Sequence, residues 1–390
     1  MSRECEGAAP GKKRVYDAGY MKGKGIIWLL VIVAAAAVAW FSSDSDMTLP
    51  DFVPGDRSGS GGSGTSGGSG ADDPFSLYFS NTYANDPAVP ARDRSNIDRR
   101  LVAIIDDARG SIDGALFELE SDEIAGALLR ARERGLRVRL VVEEEYERTP
   151  QMAEIRKAGI PVVVDNRSAL MHNKFFVIDQ RSVWTGSFNT TENGARRNNN
   201  NGIHVRSPEI AENYAVEFAE MFEDRSFGPR SPSSTPNSLV RLPNADIYNY
   251  FGPEDDLRSK TLRYLRLAKQ EIRFMAFSFT DDAIGELMVA RHREGIDVAG
   301  VIESRASSLE SSELGRLRQA GVPVMTDGNR YLMHHKVIVI DRTWTILGSY
   351  NFSQSGAERN DENILIIKSR PLATLMLAEY DRVVEMARDR

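Results

Sequence analysis

One pattern occurs twice in this chain and constrains everything around it. Met171-His172-Asn173-Lys174-Phe175-Phe176-Val177-Ile178-Asp179, followed by Gly186-Ser187-Phe188-Asn189, returns as Met333-His334-His335-Lys336-Val337-Ile338-Val339-Ile340-Asp341, followed by Gly348-Ser349-Tyr350-Asn351. Both copies read H-x-K-x4-D-x6-G-S-x-N, and equivalent residues stand 162 positions apart with no gap. Flanking signals repeat as well. Arg134-Gly135 and Glu294-Gly295 close equivalent helices, and Ala158-Gly159-Ile160-Pro161 is matched by Ala320-Gly321-Val322-Pro323. The chain is a tandem duplication.

The apolar runs Phe175 to Ile178 and Val337 to Ile340 read as buried strands, and a strand sends residues i and i+2 to one face. His172 therefore shares a face with Lys174, His334 with Lys336, Ser187 with Asn189, and Ser349 with Asn351. Helical and strand signals alternate through the first half: helices over 95–109, 122–134, 152–158 and 210–223, strands over 112–119, 136–143, 161–164 and 203–206. The second half repeats the order, with helices over 256–268, 282–294, 312–320 and 371–388 and strands over 271–279, 296–303, 323–325 and 364–367. Such alternation predicts an α/β sandwich in each half, with motif residues at strand ends. The predicted domains are 75–227 and 246–390, joined by a linker over 228–245 whose Gly228 to Asn237 stretch is rich in Pro and Ser.

The two motifs resemble the HKD motif of the phospholipase D superfamily, and the resemblance extends from about Phe75 to the C-terminus. It implies two tandem phospholipase D-like domains in a pseudo-twofold arrangement, with one active site between them. A phosphodiester needs a nucleophile, an acid for the leaving oxygen and positive charge for the non-bridging oxygens. One neutral imidazole can attack phosphorus while the other protonates the departing alcohol. The expected catalytic set is His172, Lys174, Asn189, His334, Lys336, Asn351 and Glu362, the lysines and asparagine amides holding the phosphate. Ser187 and Ser349 offer either a hydroxyl for the phosphate or a structural bond. Asp179 and Asp341 read as structural carboxylates at strand ends. His335 faces away from its neighbours and no carboxylate-histidine cluster accompanies it, so no metal or cofactor is expected. His204 and His292 read as ordinary strand and helix residues.

The halves differ at one place. Glu362 lies 28 residues after His334, and its equivalent after His172 is Asn200. Relatives usually carry a carboxylate there that orients the histidine. Read within one half, Glu362 favours a protonated His334 as acid and leaves His172, beside Asn200, as the neutral nucleophile.

The front of the chain is different in kind. A basic segment over 1–25 with Lys12, Lys13, Arg14, Lys22 and Lys24 precedes an apolar run, Ile26 to Phe41, within a hydrophobic segment at 26–43; Asp44 and Asp46 follow. That charge order predicts the body on the extracytoplasmic side of a membrane. The segment serves either as a single anchoring helix or, through Ala37-Val38-Ala39, as a cleaved signal that releases a secreted body. Ser58 to Gly70 holds only Ser, Gly and one Thr, making residues 44–74 a flexible tether. The single cysteine, Cys5, precedes the hydrophobic segment, so the rest of the chain forms no disulfide. Net charge is −7 over 390 residues, which argues against tight general nucleic-acid affinity.

The expected function is a phosphodiesterase that cleaves phospholipid head groups by hydrolysis or by transfer to an alcohol. An exported metal-independent nuclease of the same superfamily, a cardiolipin synthase-like transferase and an inert scaffold are the alternatives. The expected partners are a phospholipid or other phosphodiester and, through the N-terminal segment, a membrane. No obligate protein partner is implied.

Overall fold

The computed structural model describes residues 74–82 and 96–389; the basic and hydrophobic segments and the Gly/Ser stretch up to residue 73 lie outside them. No helix among the described residues is long and apolar enough to cross a membrane.

The first half runs β1 (Phe75–Phe79), α1 (Ile97–Asp107), β2 (Ser111–Leu116), α2 (Asp122–Glu133), β3 (Arg137–Glu143), α3 (Pro150–Lys157), β4 (Val162–Asp165), β5 (Lys174–Ile178), β6 (Ser182–Gly186), α4 (Glu192–Arg196), β7 (Asn201–Val205) and α5 (Pro208–Phe222). The second runs β8 (Leu239–Leu242), β9 (Ala245–Gly252), α6 (Leu257–Leu265), β10 (Glu271–Ala276), α7 (Asp282–Arg293), β11 (Asp297–Ile302), α8 (Leu314–Gln319), β12 (Val324–Thr326), β13 (Lys336–Ile340), β14 (Trp344–Gly348), α9 (Gln354–Glu358), β15 (Glu362–Lys368) and α10 (Arg370–Arg388). Short polar side chains start the helices. Ser121 and Asp281 accept the backbone N–H of Ile124 and Ile284 at the starts of α2 and α7. Gly135 and Gly295, at φ 87° and 90°, end those helices in the left-handed conformation that glycine adopts without a Cβ clash.

Two mixed sheets result, ordered β1-β7-β6-β5-β2-β3-β4 and β12-β11-β10-β13-β14-β15-β9-β8. β2, β3 and β4 are parallel, as are β10, β11 and β12, while the motif strands β5 and β13 run antiparallel to β2 and β10. Period-two alternation along the motif strands feeds two cores each. Phe175 and Val177 join Val337 and Val339 in a central core filled by α5 and α10, whereas Phe176 and Ile178 pack under α1, α2 and α3, and Ile338 and Ile340 under α6, α7 and α8. The two halves share that central core. They form the tandem α/β arrangement that the repeat predicts.

The edges differ from the expectation. β1 and β9 carry no strong sequence signal, and the linker over 228–245 is corrected in part. Leu239–Leu242 forms the outermost strand of the second sheet and pairs with β9 across a turn at Asn244, φ 67°. Ala245, Ile247, Asn249 and Phe251 alternate inward along β9, an eight-residue pattern that only the neighbouring β15 makes meaningful.

Candidate active site

The site is built where backbone from one half pairs with backbone from the other. His172 N–H donates to Asp361 O at 3.0 Å and Asp361 N–H to Leu170 O at 2.9 Å; symmetrically, His334 N–H donates to Asn199 O at 2.9 Å and Asn199 N–H to Leu332 O at 2.8 Å. Each histidine is thereby set beside the start of the last strand of the opposite half.

This crossing corrects the expected pairing of Glu362 with His334. Glu362 instead receives His172 Nδ1–H, with 2.8 Å and 2.9 Å to its two oxygens, and His334 Nδ1–H goes to Asn200 Oδ1 at 3.0 Å and Ser187 O at 3.1 Å. Spacing along the chain ties a strand-end residue to its own repeat, and the pseudo-twofold axis exchanges the partners. Ser349 Oγ donates to Glu362 at 2.5 Å and Ser187 Oγ to Asn200 Oδ1 at 2.9 Å, so both serine protons are spent on orienting the histidine partners.

Period-two geometry holds within each motif. Lys174 Nζ donates to His172 O at 2.6 Å and Lys336 Nζ to His334 O at 2.9 Å. Two aromatic rings that sequence reasoning missed complete the floor: Phe117 lies 4.9 Å from the His172 ring and 4.8 Å from Lys174 Nζ, and Phe277 lies 4.6 Å from the His334 ring and 4.7 Å from Lys336 Nζ. Their signal was their equivalent place just after β2 and β10. Asn189 and Asn351 each keep a buried amide oxygen with no hydrogen-bond partner. Asp179 lies away from the chemistry and accepts the backbone N–H groups of Arg109, Gly110 and Ser111; Asp341 does the same for Lys269, Gln270 and Glu271. His204 contacts Arg206, outside the site.

Burial dominates the electrostatics. It lowers the pKa of both His172 and His334, and the two lysine ammoniums lower each further. Burial also brings Lys174 down to about 8, against the pull of Glu362 and Glu118. Lys336 falls well below its usual value through burial and repulsion from Lys174. Glu362 is pushed up to about 8 by burial, opposed by Lys174 and Ser349. Two lysines and two histidines crowded in a buried site, beside Glu362 and Glu118, suit a phosphate. Among the described residues no group of three or more His, Cys, Asp or Glu side chains is arranged to hold a metal ion.

The rims of the two halves have diverged. Glu118, hydrogen-bonded by Tyr146, sits beside Lys174, and exposed Glu120, Glu144 and Glu145 follow on the loops after β2 and β3. The equivalents in the second half are Ser278, Thr280, Ser304 and Arg305.

A family described as "Cardiolipin synthase, PLD-like domain" matches residues 101–222 and again 261–384. The mitochondrial cardiolipin hydrolase of Mus musculus is 31% identical over 157 residues, 40% of this chain and 66% of its own length. A phospholipase D of Rickettsia felis is 34% identical over 179 residues, 46% of this chain and 86% of its own. The chain spans 50% to 66% of the length of the mammalian cardiolipin hydrolases it matches. Among solved structures, phosphatidylserine synthase of Haemophilus influenzae shares the fold, with a TM-score of 0.62 at 14% identity over 80% of this chain and 86% of that one.

Proposed function

The chain belongs to the cardiolipin synthase, PLD-like domain family, and from that premise we propose that it is a phospholipase D-type phosphodiesterase that cleaves phospholipid head groups through a covalent phosphohistidine. The observation that carries this reading is the crossed pair of histidines, each oriented by the opposite half and each within the field of both motif lysines.

His172 is the nucleophile. Its Nδ1–H is fixed on Glu362, which leaves the Nε2 lone pair for phosphorus, and the carboxylate stabilises the positive charge that the ring gains as the P–N bond forms. Glu362 paired within its own half would also leave His172 as the nucleophile, but the crossed partners remove that reason. His334 rests on a neutral amide and a carbonyl, which hold its tautomer without a countercharge, so once protonated it gives its Nε2 proton readily to the leaving alkoxide. As the P–N bond forms the P–O bond breaks; His334 then takes a proton from the incoming water or alcohol, whose oxygen displaces His172. Lys174 and Lys336 meet the charge on the non-bridging oxygens, and the Asn189 and Asn351 amides complete the cradle.

The acidic rim of the first half supports a lipid over a polynucleotide, since a polyanion crossing the site would meet Glu120, Glu144 and Glu145. The hydrophobic segment at 26–43 and the tether behind it support a body exported and held near a membrane. Incubating the full chain with phosphatidylcholine vesicles and, separately, with single- and double-stranded DNA, all in chelator, tests the reading. Release of choline, or its exchange for an added alcohol, is expected; cleavage of DNA alone would overturn the lipid assignment.

A nitrophenyl phosphodiester separates the histidine roles, because nitrophenolate leaves without a proton. His334→Ala is expected to form an acid-labile adduct on His172 from this substrate, and His172→Ala none. An adduct trapped on His334 reverses the assignment.

A further inference from the structure

His335 stands between His334 and Lys336, so its side chain leaves the opposite face of the strand and takes no part in the chemistry above. It is fully buried. Its Nε2 lies 2.9 Å from Glu379 Oε1, and its Nδ1 accepts Asn201 Nδ2–H at 2.9 Å. A neutral imidazole has one N–H and one lone pair, and these contacts use each once. Arg382 clamps Glu379 from the same helix, α10, at 2.8 Å and 2.6 Å. The Phe79 ring of β1 packs edge-to-face against the imidazole, and β7 presents the uncharged Asn201. The charged groups around the ring are therefore Glu379, Arg382 and, on its own strand, Lys336.

Asn201 carries the contact back to the active site. Its backbone N–H donates to Ser187 Oγ at 3.1 Å and its Nδ2 reaches the same oxygen at 3.4 Å; Ser187 Oγ donates to Asn200 Oδ1, which accepts His334 Nδ1–H. The pseudo-symmetric ring of contacts around His172 has Asn173 in place of His335. Asn363 Nδ2 donates to Asn173 Oδ1 at 2.7 Å, Asn363 N–H to Ser349 Oγ at 3.0 Å, and Ser349 leads to Glu362 and His172. The two acceptors are equivalent in place and differ in chemistry. An amide oxygen accepts at any pH, whereas an imidazole that takes a proton on Nδ1 presents N–H against N–H.

We propose that His335 is a positioning residue for His334: as an acceptor it fixes Asn201, and through Ser187 and Asn200 the leaving-group acid, and protonation of its Nδ1 releases that hold. The inference rests on the assignment of His334 as the acid. Burial lowers the pKa of His335, which keeps the ring an acceptor at neutral pH.

The experiment uses the full chain with His335→Ala and His335→Asn, a short-chain phosphatidylcholine and a nitrophenyl phosphodiester, and follows kcat, KM and thermal midpoint against pH. His335→Ala should lose roughly 10-fold to 10²-fold in kcat on the choline ester with little change in KM, and should spare adduct formation from the nitrophenyl ester. His335→Asn, which copies the first half, should recover most of that loss and shed one proton from the slope of the acid limb. Wild-type kcat in His335→Ala, an equal loss on both leaving groups, or an unchanged acid limb in His335→Asn would overturn the proposal. The ¹⁵N resonance of His335 Nδ1 in the wild-type chain is the second readout, and it is independent of turnover. It should be that of an unprotonated nitrogen at neutral pH and should titrate together with His334 Nε2. A protonated Nδ1 at neutral pH sinks the proposal, whereas a wild-type chain inactive on both esters sinks the proposed function and leaves the resonance to decide.

Discussion

Two buried lysines, Lys336 lowered in part by the charge of Lys174, make the first prediction of this site. Burial brings Lys174 down to about 8 in the free protein and holds Lys336 well below its usual value, with repulsion from Lys174 adding to the second. A bound phosphate replaces the missing countercharge and raises both values, so between the free and bound pKa the complex holds more protons than its parts. Calorimetry of inorganic phosphate binding at about pH 8, in buffers of different ionisation enthalpy, should report proton uptake, and affinity should weaken as pH rises further. Proton release on binding would contradict the charge assignment. Glu362→Gln keeps an acceptor for His172 Nδ1–H but removes the charge that stabilises the ring during attack; adduct formation should slow on the order of 10²–10⁴-fold. A rise in KM with kcat unchanged would show that Glu362 serves binding instead. At this scale the pattern in the sequence names the chemical groups well, because H-x-K-x4-D-x6-G-S-x-N is local. It does not name their partners: Glu362 lies 28 residues from His334 and 190 from His172, and the histidine it touches is the distant one.

The elements hold these groups by devices that sequence spacing also carries, and the devices separate stability from activity. Asp341 ties the turn before β10 to the end of β13 through three backbone N–H groups at 2.8–3.0 Å. Asp341→Ala should cost about 1–2 kcal/mol and a few degrees of thermal midpoint, with kcat at 25 °C unchanged. Gly348 is constrained for another reason. A Cβ there would sit 2.1 Å from Asn363 O, inside the β14–β15 pairing that positions Ser349 and Glu362. Gly348→Ala should therefore lose both stability, by roughly 1–3 kcal/mol, and turnover, and a stable variant that keeps wild-type kcat would show that this close approach is not what sets Glu362. Helices and central strands were legible because caps, glycine stops and unbroken apolar runs are signals within the element itself. The edge strands β1 and β8 were not, since an edge strand declares itself only through the neighbour it pairs with, nor was β9, which pairs with a strand more than a hundred residues later.

At the scale of the whole molecule, the duplication turns two incomplete sites into one. Neither half contains both a histidine and its partner: His172 needs Glu362, and His334 needs Asn200. The halves are bound by the central core, by the paired backbone around the histidines, and by the segment between them. That segment is stitched to both sides, with Asn237 N–H on Asn213 Oδ1 at 2.8 Å, Gly228 N–H on Asp361 Oδ1 at 2.6 Å and Ser233 Oγ on Asp255 at 2.6 Å. Exchange of halves between two chains would have to break all of these contacts at once, and a shared apolar core of this kind opens only at a large cost in buried surface. The site should therefore form within each chain. Mixing His172→Ala with His334→Ala tests this directly, because a site assembled between chains would regain one intact set of residues in the mixed dimer. The mixture should stay as inactive on a choline ester as either variant alone, at any ratio and after prolonged incubation, with light scattering recorded alongside. Activity that grows with the product of the two concentrations would place the site between chains, and the duplicated fold would then be one half of a larger symmetric assembly.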